Sequence, residues 1–134
     1  MYEVEEAFPG IPCITTIWWT QEVRSDLMEF LKSKGKNERR FAEKLKYYAR
    51  AGFRNFEGNQ GSIIRHEGNQ VFRISDGGLY RIVGFYEGDT KHNFIAISSF
   101  LKKKEKNSNK ERQIYSRVVE VREKRLYRKK GDKT

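Results

Sequence analysis

The chain has 134 residues, of which 37% are hydrophobic, 13% aromatic and 34% charged, a size and mixture that suit one compact domain with a small core. One cysteine (Cys13) and two histidines exclude an internal disulfide and a closed structural zinc site. The longest apolar run, residues 11–19, is interrupted by Pro12, Thr15 and Thr16 and is too short to span a bilayer, while Glu3, Glu5 and Glu6 read against a signal peptide, so the expectation is a cytoplasmic domain without membrane contact.

Residues 1–12 read as an irregular arm with a turn at Pro9-Gly10. Residues 14–19, rich in β-branched and aromatic side chains, predict a first strand. Thr20 is a helix N-cap, and Val23, Leu27 and Phe30 give the i, i+4, i+7 spacing of a helix running to about residue 33. Phe41, Leu45 and Tyr48 repeat that spacing in a second helix over 37–50, stopped at Gly52. The loop between the two is short and polar, which predicts an antiparallel helical pair. From residue 62 the character turns to β: Ile63-Ile64, then runs at 71–75, 79–86 and 93–100, with Asp76-Gly77-Gly78 as a hairpin turn and Glu87-Gly88-Asp89 as another. Residues 109–128 predict a last helix with Ile114, Val118 and Val121 on one side, followed by a frayed basic tail over 129–134. The fold expected is α+β: an N-terminal strand and a helical hairpin packed on one face of a mainly antiparallel curved sheet, with a C-terminal basic helix.

The charge is unevenly distributed. Of the 28 lysines and arginines, 14 lie in residues 101–134 against 5 acidic side chains; the first 100 residues hold the other 14 against 13. Such a block attracts polyanions, nucleic acid foremost, or is a solvated helix face with a loose end. Within the predicted hairpin, a three-residue loop at 76–78 sets Arg73 opposite Arg81, with Val71, Arg73, Arg81 and Val83 on one face and Phe72, Ile74, Tyr80 and Ile82 on the other. Two guanidiniums side by side cost stability unless an anion lies between them; the alternatives are a slipped register or splaying into solvent. Lys102, Lys103 and Lys104 follow the 93–100 strand and are expected at the same sheet edge. Arginine and lysine around a phosphate suit phosphoryl transfer, and His66 and Tyr115 are candidate proton carriers or packing residues. No carboxylate cluster resembles a two-metal nuclease site and no Walker-type loop is present, so the chemistry expected needs no metal and no cofactor.

Val71-Phe72-Arg73-Ile74, the glycine turn, Leu79-Tyr80-Arg81-Ile82-Val83, and Ser99-Phe100-Leu101-Lys102-Lys103 before a charged terminal helix resemble the RelE/ParE superfamily of toxins, and within it the phage-derived HigB-like branch. The resemblance spans roughly residues 19–128. It implies a toxin of a type II toxin–antitoxin pair, a ribosome-dependent mRNA endonuclease neutralised by a cognate helix-turn-helix antitoxin. It further implies that Arg81 holds the scissile phosphate, that Arg73 and Lys102 or Lys103 assist, and that a ribose 2′-hydroxyl attacks the adjacent phosphate to leave a 2′,3′-cyclic phosphate. His66 falls where relatives carry Lys or His, and Tyr115 matches a catalytic tyrosine of some relatives across an insertion. The basic residues Lys104, Lys106, Lys110 and Arg112 would contact ribosomal RNA. The sequence departs from the pattern at Ser99, where the branch carries glycine, and in residues 105–110, which lack a Thr-Pro pair. A non-catalytic RNA- or DNA-binding module, or an inactive prophage remnant of that fold, is the alternative reading.

Overall fold

Seven strands join into one sheet in a computed structural model that describes residues 1–34, 36–53, 64–75, 80–88, 90–101 and 109–131. The strands are β1 (Tyr2–Glu6), β2 (Thr16–Thr20), β3 (Ile64–His66), β4 (Val71–Ser75), β5 (Tyr80–Tyr86), β6 (Asn93–Leu101) and β7 (Tyr127–Lys129); the helices are α1 (Gln21–Lys34), α2 (Lys36–Ala51) and α3 (Asn109–Lys124). The sheet order is β3-β4-β5-β6-β2-β1-β7. The pairs β3–β4, β4–β5, β5–β6 and β1–β2 are antiparallel, whereas β2–β6 and β1–β7 are parallel. The class is therefore α+β with a mixed sheet. Among the described residues no helix is long and apolar enough to cross a membrane.

Local signals account for the helices. Thr20 Oγ1 accepts a 3.1 Å hydrogen bond from the Val23 backbone N–H, the N-cap geometry that opens α1. The α3 helix stops at Lys124, earlier than the helix expected over 109–128. Arg125 there adopts the left-handed conformation (φ 52°), and the Leu126 N–H donates to the Val121 carbonyl at 3.0 Å. This is a Schellman stop, with Val121 and Leu126 in the same apolar cluster. The chain then turns back as β7.

Strand alternation divides the core in two. Ile17, Trp19, Ile64, Phe72, Ile74, Tyr80, Ile82, Phe94 and Ala96 pack with Val23, Leu27 and Phe30 of α1 and Phe41, Leu45 and Ala49 of α2. The Tyr80 ring stacks on Phe30 at 4.6 Å and meets the edge of Phe41 at 5.8 Å. The opposite face carries Val4, Val71, Val83, Phe85, Ile95 and Ile97, and Val118 and Val121 of α3 pack on it. Helices thus lie on both faces rather than one. The reason is visible in β5: every residue from Ile82 to Tyr86 is buried, so neither face can be left to water. Thr15 ties the layers together. Its buried hydroxyl donates to the Lys91 carbonyl at 2.8 Å and accepts from the Phe53 N–H at 3.1 Å. Ser99, at the glycine position of the resembled pattern, donates to Asp26 of α1 at 2.9 Å.

Both chain ends correct the sequence expectation. Residues 1–12 are not wholly irregular, because Tyr2–Glu6 pairs with β2 and β7. The segment from 129 is not frayed at its start, since Lys129 belongs to β7 and pairs with Val4. Lys129 Nζ also lies 2.8 Å from Glu87 Oε1 and 4.7 Å from the Trp18 ring centroid, while the Tyr127 hydroxyl donates to Glu87 Oε2 at 2.6 Å. These contacts need sequence-distant partners, which local pattern does not reveal.

Candidate functional site

Strand register decides which basic side chains meet. β4 and β5 pair with Ser75 opposite Arg81 and Arg73 opposite Val83, two residues along from the register that a three-residue loop would impose. An even shift leaves every side chain on its expected face, so Arg73 and Arg81 still share one side of the sheet as diagonal neighbours. The shift relieves the like-charge pair. Arg81 Nη1 donates instead to Ser75 Oγ at 2.7 Å and to the Tyr80 carbonyl at 3.1 Å. The turn residues 76–79 lie outside the described residues.

The residue that does face Arg73 is Arg65, on the edge strand β3. Ile64 on β3 is buried, and by alternation Arg65 joins the arginine face while His66 joins the other, where its exposed ring lies 4.9 Å from Phe72. His66 is therefore separated from Arg73 and Arg81 by the sheet itself. After β3 the chain turns through three left-handed residues, Gly68 (φ 92°), Asn69 (φ 52°) and Gln70 (φ 63°), closed by hydrogen bonds between Glu67 and Val71 and between Val71 and Gly68. Glu67, two residues after Arg65 and paired through its N–H with the Val71 carbonyl, falls by alternation on the same face as Arg65. Its Oε1 lies 2.7 Å from Arg73 Nε, with the two side chains 16% (Arg73) and 23% (Glu67) exposed.

The start of α3 covers this cluster. Phe100 stands opposite Arg81 in the β5–β6 register, and the Tyr115 ring meets Phe100 edge-on at 6.2 Å. Burial, followed by the charge of Glu67, pushes the Tyr115 phenol up to about 12; Arg73 and Arg81 pull the other way, and Glu111 pushes up. The phenol is thus a protonated donor at neutral pH. Arg73, Arg81 and Tyr115, predicted as site residues, come together under α3, half-buried rather than on an open sheet face. Glu111, one turn before Tyr115, is buried between the exposed Lys110 and Arg112, which point to solvent. Lys102, Lys103, Lys104 and Lys106 lie outside the described residues.

Two participants escaped sequence reasoning. Arg65 and Glu67 become partners of Arg73 only through β3–β4 pairing, and the parity of Ile64 against Arg65 was the one available signal. Cys13 is half-buried, and burial raises its thiol above the ordinary range, which leaves little reactive thiolate. No protein-family model matches the chain, and no curated protein or solved structure is significantly similar to it.

Proposed function

We propose that the chain is the toxin of a type II toxin–antitoxin pair and cleaves mRNA on the ribosome. The observation that carries this reading is the convergence of Arg73, Arg81 and Tyr115 on one side of the sheet, the positions to which the RelE/ParE resemblance assigns substrate chemistry. In the reaction, the ribose 2′-oxygen bonds to the adjacent phosphorus as the bond from phosphorus to the 5′-oxygen breaks. The 2′ proton leaves, and the departing 5′-oxygen gains one. The products are a 2′,3′-cyclic phosphate and a 5′-hydroxyl.

Each side chain has a distinct role in that scheme. The Arg81 and Arg73 guanidiniums stabilise the charge that grows on the phosphoryl oxygens. Tyr115, protonated at neutral pH, donates a hydrogen bond or proton and does not serve as the base. Lys110 and Arg112, exposed at the start of α3, extend the basic surface toward ribosomal RNA, and a helix-turn-helix antitoxin would silence the site in the cytoplasm.

One observation favours a second reading, a non-catalytic RNA- or DNA-binding module: Arg73 already has a carboxylate beside it and Arg81 a hydroxyl. Controlled expression separates the two. Catalysis predicts growth arrest, with new mRNA 5′ ends inside translated codons, and Arg81→Ala abolishing both while the circular dichroism spectrum is unchanged. Arrest that survives Arg81→Ala, or RNA binding without new ends, rejects the catalytic assignment.

A further inference from the structure

The cluster around Arg73 contains an anion of its own. Three arginines cross one face of the sheet on adjacent strands: Arg65 directly opposite Arg73, and Arg81 diagonal to it. Directly opposed like charges on paired strands are destabilising. Among the described residues no ion pair engages Arg65, whereas Glu67, two residues along the chain, reaches Arg73 at 2.7 Å. Alternation from Arg65 and the Glu67 N–H bond to the Val71 carbonyl place Glu67 on that arginine face, diagonal to Arg73.

We propose that Glu67 is an internal competitor, its carboxylate occupying the position beside Arg73 that a phosphate of single-stranded nucleic acid takes when the chain binds. The inference rests on the polyanion-binding part of the function proposed above and is independent of cleavage. A carboxylate and a phosphate compete for the same positive charge, and a guanidinium this screened from water has little room to pair with both. Binding therefore includes the release of Glu67, and the apparent affinity is reduced by the fraction of molecules in which that carboxylate is in place. Arg65, across from Arg73, sustains the positive potential that draws the phosphate in.

The test is equilibrium binding of a mixed-sequence 2′-O-methyl oligoribonucleotide, which has no free 2′-hydroxyl and is not cut, to the wild type, Glu67→Gln, Glu67→Asp and Glu120→Gln. Glu120, paired with Arg117 on the outside of α3, controls for the loss of one negative charge at a distance. The expected result is that Glu67→Gln binds roughly threefold tighter or more. Glu67→Asp, whose carboxylate is drawn back from Arg73 without a change of net charge, also binds tighter than the wild type, and Glu120→Gln shifts affinity less than either. Glu67→Gln no tighter than Glu120→Gln overturns the proposal. Should Glu67→Gln fail to fold, Glu67→Asp decides it: wild-type affinity or weaker overturns the competitor role. Cleavage of an unmodified RNA, assayed in parallel, judges the nuclease reading separately.

Discussion

Gly84 approaches Ile95 so closely that a β-carbon added to Gly84 would stand 2.1 Å from the Ile95 carbonyl oxygen and 2.9 Å from the Ala96 α-carbon. The approach coincides with a break in the β5–β6 ladder, where Val83 pairs with Ser98 but Gly84 with Ala96, so that Ile97 is the extra residue of a bulge. Because the obstacle is backbone in the middle of the sheet, it cannot swing aside. Gly84→Ala is expected to destabilise the protein by about 2 kcal/mol or more. A lower urea midpoint with an unchanged slope is the expected signature, and an unshifted midpoint would refute the close approach.

Tyr115 is expected to titrate late, as is Tyr127, whose half-buried phenol donates to Glu87. Burial first, and then Glu67, hold its phenol up to about 12, against a usual value near 10. A spectrophotometric titration of the wild type minus that of Tyr115→Phe should therefore isolate one group ionising about two pH units late. A difference step at pH 10 would contradict the burial under α3. If Tyr115 donates during cleavage, Tyr115→Phe should also slow RNA cutting by about a hundredfold, and the wild-type rate should show no loss from this group between pH 7 and 10.

Glu87 governs an acid-sensitive contact at the other end of the sheet. Burial alone would raise its carboxyl, but hydrogen bonds from Lys129 and Tyr127 outweigh it and hold the group below its ordinary range. A carboxyl lowered on folding stabilises the native state above its unfolded value, and that contribution disappears as pH falls through the folded value. Glu87→Gln should thus be less stable than the wild type at pH 7, with the two converging as pH falls below about 4. Parallel unfolding curves at each pH measure the difference; a constant gap down to pH 2 would show that the charge on Glu87 does not hold β7 in place.

The helices and several strands were legible because their causes are local. Thr20 caps α1 with its own hydroxyl, and the apolar spacing of Phe41, Leu45 and Tyr48 marks α2 whatever it packs on. Alternation along 71–75 and 80–86 likewise assigned Phe72, Ile74, Tyr80 and Ile82 to one face correctly. Composition located the basic block in residues 101–134, though not what it touches.

Tertiary pairing decided the rest. Alternation fixes which face a side chain takes, but a shift of two residues preserves that face, so no periodic pattern distinguishes Arg73 opposite Arg81 from Arg73 opposite Val83. That His66 lies away from the arginines, and Arg65 and Glu67 beside them, is decided only once β3 is laid against β4. The strands β1 and β7 depend on distant partners: β1 pairs with β2 on one side and with β7 on the other, the latter across 125 residues of chain, as in the pairing of Tyr2 with Tyr127. α3 was sent to the second face by apolar area on β4, β5 and β6 that has to be covered, a demand of the assembled sheet and not of any one segment.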